Sequence, residues 1–181
     1  NPKKFPSELR FDLISKDWVV IATGRAKRPE MFRQEKRAKI DIPKKDCPFC
    51  NIKTQEKPTL IFAHGKKIPS EGSIPKGWST IAIPNKYPAF LPHPEWHKKI
   101  EGNLYQSMNA VGFHELVITR DHKKHLALLS LNQIKEVFDV YQERYLELAK
   151  EKFVNYVSIF HNHGADAGAS VAHPHSQIIT T

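Results

Sequence analysis

At 181 residues, 40% of them hydrophobic and ten of them Phe, the chain is long and apolar enough for one well-cored domain, which excludes a disordered tail. No run approaches the ~20 apolar residues that cross a bilayer, and no apolar stretch follows the Lys-rich start as in a secretion signal. A net charge of +9 favours anionic ligands, although Lys36 to Lys45, Lys66-Lys67 and Lys98-Lys99 read as solvated loop charge.

Taken in chain order, Leu9 to Ile14 and Trp18 to Ala22 alternate as two strands joined by a tight turn at Ser15-Lys16-Asp17. Just past the second strand, Gly24 is followed by Arg25, Lys27 and Arg28. Cations after a glycine at a strand end suit a phosphate, and a solvated loop is the competing reading. Residues 30–75 read as a long irregular excursion, interrupted by Cys47-Pro48-Phe49-Cys50. Trp78 to Ile83 is a predicted strand ended by Pro84-Asn85-Lys86-Tyr87-Pro88, which leaves Asn85 at a strand end, either for a ligand or as plain turn chemistry.

Phe90 to Gly102, with Pro92 and Pro94, reads as a loop laid on the body. Gly112 to Thr119 is the next strand and leads into Arg120-Asp121-His122-Lys123-Lys124-His125. Ser130 is placed to cap a helix from Leu131 to about Lys152, whose expected buried stripe is Ile134, Val137, Phe138, Tyr141, Tyr145, Leu148 and Ala149. Val154 to Phe160 returns as a strand, a Gly-rich loop runs from His161 to Ser170, and His173-Pro174-His175-Ser176-Gln177 opens a last strand. No internal repeat is present. Short strands with one long helix predict an α+β domain, the helix packed on an antiparallel sheet.

Two constellations carry chemistry. Residues two apart share a strand face, so His173, His175 and Gln177 are expected to point the same way, behind a Gly-rich loop whose N–H groups suit a phosphate. Three such groups fill a core badly and build a site well. The second constellation is the CxxC of Cys47 and Cys50. With no other cysteines it favours an intracellular metal or redox pair over a disulfide framework. Two histidines would complete a closed tetrahedral site, drawn from His114, His122, His125, His161, His163, His173 and His175. A zinc-containing nucleic-acid-binding module is the competing class. It lacks its His pair 12–15 residues on, where only His64 falls, and it leaves the His173-to-Gln177 row idle.

The motifs together are similar to the N-terminal half of the galactose-1-phosphate uridylyltransferase family, a branch of the histidine-triad superfamily. The resemblance rests on Asp17-Trp18-Val19, Arg25 to Pro29, Cys47-Pro48-Phe49-Cys50, Pro84 to Pro88, and Gly112-Phe113-His114-Glu115 with Asp121-His122. Asn162-x-Gly164-Ala165, Gly168-x-Ser170 and His173-Pro174-His175-x-Gln177 complete it, in the family's order and over nearly the whole chain. It implies a half-barrel antiparallel sheet with helices on its outer face. It also implies zinc on Cys47, Cys50, His122 and His173, with His175 as nucleophile.

By the same resemblance, Gln177 and Ser170 hold phosphate oxygens, and Arg25, Arg28, Asn85 and Asn162 serve the nucleotide. The implied reaction moves UMP between UDP-glucose and galactose 1-phosphate through a nucleotidyl-histidine. Two positions depart from the galactose enzymes, Ser176 where glycine is usual and Ala169 where cysteine is common. Related phosphorylases of ADP-glucose can carry that serine, so an adenine nucleotide is the alternative. Gln177, an amide where histidine-triad hydrolases have a third His, favours transfer over hydrolysis. The chain is expected to be a cytoplasmic, single-domain fragment. Its missing C-terminal half would supply much of the sugar site and complete a homodimer, with no nucleic-acid or membrane partner.

Overall fold

The computed structural model describes residues 7–22, 24–25, 42–71, 73–164, 166–169 and 171–181. Ten strands and one long helix stand among them, all strand pairs antiparallel. A four-stranded sheet has the order β2 (Trp18–Ala22), β1 (Ser7–Phe11), β7 (Tyr105–Asn109), β6 (Lys98–Glu101). A six-stranded sheet runs β4 (Lys66–Ile68), β3 (Leu60–Ala63), β5 (Thr80–Pro84), β8 (His114–Thr119), β10 (His175–Thr180), β9 (Val157–His161). Among the described residues no helix is long and apolar enough to cross a membrane.

The larger sheet positions everything of interest, and its two faces follow from the period of two. In the β8–β10 register, Ile118 lies opposite His175, Leu116 opposite Gln177 and His114 opposite Ile179. Cross-strand partners share a face. That face carries a buried cluster of Cys47, Phe49, Ile52, Ile61, Trp78, Ile81, Ile83, Leu116 and Ile118. Leu60, Phe62, Ala82, Val117 and Ile178 point to the other face and bury Val140 and Leu148 of helix α1 (Leu131–Leu148).

Helix α1 begins with a capping box in which Ser130 Oγ accepts from Gln133 N–H at 3.4 Å and Gln133 Oε1 accepts from Ser130 N–H at 3.2 Å. Its buried side differs from the expected stripe. Phe138 is 58% exposed and Tyr145 46%, whereas Glu136 and Arg144 are buried beside Val137, Val140 and Leu148. The polar pair is tolerated because each charge is matched. Arg144 donates twice to Glu115 of β8, at 2.7 and 2.6 Å, and the Glu136 carboxylate accepts from Gly65 N–H at 2.8 Å, from Ser79 at 2.9 Å and from Thr80.

Other boundaries also shift. The first strand is Ser7–Phe11, because Asp12 already turns, its carboxylate accepting from Ile14 N–H at 2.8 Å. Within the stretch read as an irregular excursion, β3 and β4 form a hairpin. The loop expected over Phe90 to Gly102 contains β6, which pairs with β7 across a turn where Gly102 and Asn103 take φ of 57° and 64°. Gly112 has φ 154°, and a Cβ there would lie 2.0 Å from Thr180 O, so only glycine lets the chain enter β8 against the end of β10.

Candidate active site and metal centre

His175 opens β10 and is 8% exposed, packed edge-on against Phe49 with ring centroids 4.9 Å apart. His175 Nδ1 lies 2.9 Å from the carbonyl oxygen of His173. A carbonyl only accepts, so Nδ1 carries the proton and Nε2 keeps its lone pair. Burial pushes the His175 pKa below its ordinary value, only partly offset by that bond, which favours the neutral ring. Two residues on, Gln177 shares the face, and both line one cleft of about 190 Å³ with Arg25, Phe49, Asn85 and Gly168.

Behind the lining residues Gln177, Asn85 and Arg25 sits His114, which the sequence offered only as a rival metal ligand. Its Nε2 is 2.9 Å from Gln177 Oε1 and 3.0 Å from Asn85 Nδ2, and its Nδ1 accepts from Ala89 N–H at 3.0 Å. Arg25 Nη1 lies 3.4 Å from the same Nδ1 and donates to Tyr87 O at 2.9 Å. Burial lowers the His114 pKa from 6.5 to about 4, with Arg25 and His175 adding repulsion against a bond to Gln177 that raises it. The folded state therefore prefers the neutral ring. That preference contributes fully above pH 6.5, where both states are neutral, and is lost as pH falls toward 4 while the unfolded chain gains the proton first. His114→Gln is expected to remove on the order of 3 kcal/mol of acid sensitivity between those limits, read from urea unfolding at pH 7 and pH 4.5. Parallel curves for wild type and variant would count against it.

The two cysteines are free, and a 3-10 turn at Lys44–Asp46 delivers them to the same face of the sheet. Cys47, Cys50, His122 and His173 bring one ligand atom each to within 4.8 Å of one another. Cys50 Sγ is 3.2 Å from His122 Nδ1 and 3.6 Å from His173 Nδ1, and Cys47 Sγ is 3.5 Å from His173 Nδ1. Tetrahedral zinc with S and N ligands sets such atoms about 3.5 Å apart, so the donor set fits. The outer nitrogens fit as well. His122 Nε2 donates to Ile42 O at 2.7 Å and His173 Nε2 to Thr119 O at 2.9 Å, which leaves both Nδ1 atoms unprotonated toward the sulfurs. Burial pushes the Cys50 thiol up to about 11, with Cys47 beside it adding to the rise, so without a cation Cys50 stays protonated. The cluster can hold a metal ion.

Of the other expected residues, Arg25 and Asn85 line the cleft, while Asn162 stands half-buried just past β9 and is not among the described residues that line it. Arg28 and Ser170 lie outside the described residues. His173 precedes β10 rather than belonging to it, so the expected row of three on one strand is a pair, His175 and Gln177. Its side chain goes to the cysteines and its carbonyl to His175. His125 pairs instead with His163, ring centroids 4.5 Å apart.

Residues 3–181 match the family model described as galactose-1-phosphate uridyl transferase, N-terminal domain. The chain belongs to this uridyl transferase family. Among its curated members the chain is 32% identical to the galactose-1-phosphate uridylyltransferase of Haemophilus influenzae over 93% of its own length and 45% of that protein's. It is 30% identical to the ADP-glucose phosphorylase of Arabidopsis thaliana, over 95% of the chain and 48% of that protein. The chain thus spans about half the length of the curated relatives it matches. The solved structure of a uridylyltransferase superposes with a TM-score of 0.62 at 26% identity, covering 95% of this chain and 45% of the other. That of the Arabidopsis ADP-glucose phosphorylase with bound ADP-glucose gives 0.58 at 27% identity, covering 97% and 48%. The antiparallel sheet with one long helix expected from sequence is the fold of this family.

Proposed function

We propose that this chain forms the nucleotide half of a hexose-1-phosphate nucleotidyltransferase, which moves UMP between UDP-glucose and galactose 1-phosphate through a nucleotidyl-His175 intermediate. The observation that carries the reading is the Nδ1–H of His175 on His173 O, which leaves Nε2 nucleophilic beside Gln177 in a cleft. Nε2 attacks the α-phosphorus, the P–N bond forms, and the P–O bond to the leaving hexose 1-phosphate breaks. A phosphate oxygen of the second hexose 1-phosphate then attacks the same phosphorus, the P–N bond breaks, and the imidazole returns unchanged. While nucleotidylated the ring is cationic, and the His173 carbonyl stabilises it through the same hydrogen bond, now charge-assisted.

Gln177 donates to a non-bridging oxygen and Arg25 offsets phosphate charge, with Asn85 beside them in the cleft; Arg28, Asn162 and Ser170 are assigned to the nucleotide by the family resemblance alone. An amide cannot protonate a leaving group, and a sugar phosphate needs no such help, so transfer is favoured over hydrolysis. Zinc is the proposed occupant of Cys47, Cys50, His122 and His173. Four protein ligands leave no open position, so it would supply structure, tying the Cys47–Cys50 turn to the residue just before the nucleophile.

A second reading, phosphorolysis of ADP-glucose by the same intermediate with inorganic phosphate as acceptor, is favoured by Ser176 and by the Arabidopsis relative. Intact mass after incubation with UDP-glucose or ADP-glucose separates the two. One UMP per chain is expected. One AMP instead selects the phosphorylase, and no adduct from either sugar nucleotide sinks both.

A further inference from the structure

The contacts of His114 determine more than its burial. A neutral imidazole has one proton, and four neighbours compete to place it. Ala89 N–H points at Nδ1 from 3.0 Å, and a backbone N–H cannot turn round. Arg25 Nη1, a donor in every state, faces the same nitrogen at 3.4 Å. Nδ1 is therefore the acceptor and Nε2 carries the proton. Two amides lie against Nε2, Gln177 through its oxygen at 2.9 Å and Asn85 through its nitrogen at 3.0 Å. Asn85 cannot turn its oxygen inward, because Oδ1 already accepts from Tyr87 N–H at 2.9 Å. The proton goes to Gln177 Oε1, and the Asn85 contact is close packing of two donors.

An amide that accepts on one end presents its NH₂ on the other. We propose that His114 is a positioning residue for Gln177: its Nε2–H locks the glutamine oxygen inward, so that the NH₂ faces the cleft as a ready donor for phosphoryl oxygens beside His175. The inference rests on the reading of Gln177 given above and deepens it. Were the amide free to flip, half its orientations would set a carbonyl oxygen against a phosphate, which repels. The Gln177 NH₂ makes no hydrogen bond to protein among the described residues, as expected of a donor held for a ligand. His114 is 4% exposed, so water cannot supply the same lock.

The test combines one structural and one kinetic measurement on the metal-loaded protein. In ¹⁵N-labelled protein at pH 7, His114 should show the Nε2–H tautomer, and added UMP should move the Gln177 side-chain amide signals; an Nδ1–H tautomer overturns the inference whatever the activity. In single-turnover labelling by the sugar nucleotide that forms the adduct, Gln177→Ala should be slowed about 100-fold. His114→Phe, which keeps the ring's bulk but donates nothing, should be slowed at least ~10-fold with a smaller change in UMP affinity. His114→Gln, whose amide N–H reaches nearly as far as Nε2, should recover most of the rate. The double variant His114→Phe/Gln177→Ala should be no more than about twofold slower than Gln177→Ala alone, because both act through one donor. Additive losses, or a folded His114→Gln as slow as His114→Phe, overturn the inference alone. Labelling of Gln177→Ala at the wild-type rate overturns the reading of Gln177 beneath it.

Discussion

His175→Ala is expected to reduce nucleotide attachment from the sugar nucleotide by ~10⁴-fold or more, to background, while the protein stays folded and keeps its metal. The fold should survive because the ring is not a ligand of the Cys47–Cys50 cluster. The truncation removes its packing on Phe49 and one hydrogen bond to the His173 carbonyl, worth about 1–2 kcal/mol together. Attachment in wild type should be to nitrogen, so the adduct should be labile in acid and stable in base, the reverse of a phosphoester. Tandem mass spectrometry of the base-treated protein should place it on the peptide containing His175. His175→Ala labelled at the wild-type rate would move the nucleophile elsewhere, and His161, whose Nδ1 is 2.9 Å from Ser176 Oγ on the helix side of the same strand, would be examined next.

How much of this was legible from residues alone depends on how local each feature is. His175 and Gln177 fall on one face by the period of two, which any two-residue spacing in a strand gives. The CxxC announces half a metal site, but its partners lie 72 and 123 residues away, and neither spacing nor composition selects His122 and His173 from seven candidates. That selection came from the family resemblance. His114 was invisible as anything but a possible ligand, because a histidine amid Leu, Val and Ile in a strand looks like core. Its role arises from the β8–β10 register, which sets Leu116 opposite Gln177 and so brings His114 alongside it. The helix stripe failed for a related reason. Hydrophobicity favoured Phe138 and Tyr145, whereas the chain buries Arg144 and Glu136, whose partners Glu115, Ser79 and Gly65 come from the sheet and the hairpin beside it. Strand β6, Lys98–Glu101, is exposed at every residue, so it leaves no alternation to read.

Removing the metal is expected to act on stability first and on the nucleophile second. Purified protein should contain one zinc per chain, and His122→Ala or Cys50→Ala should lose it. Because the unfolded chain has no preformed site, the binding free energy is largely folding free energy. Each loss should therefore cost more than about 3 kcal/mol, seen as a lower urea midpoint. Cobalt exchanged for zinc should give the intense visible bands of a tetrahedral ion with thiolate charge transfer, a signature that depends on the ligands and not on turnover. Coupling to chemistry runs through His173, whose Nδ1 faces the cysteines while its carbonyl holds His175 Nδ1–H at 2.9 Å. Without the ion that residue keeps the contact of its Nε2 with Thr119 O at 2.9 Å and its edge packing on Phe49 and His122, but loses the bond that would fix its Nδ1 to the cysteines. Labelling of His175 in metal-free His122→Ala should then fall at least ~10-fold at a temperature where the variant is still folded. Wild-type labelling and an unchanged midpoint after full removal of zinc would leave the cluster no role in holding the nucleophile. A Cys47–Cys50 disulfide in the native protein would exclude the ion altogether, since it consumes both thiolates.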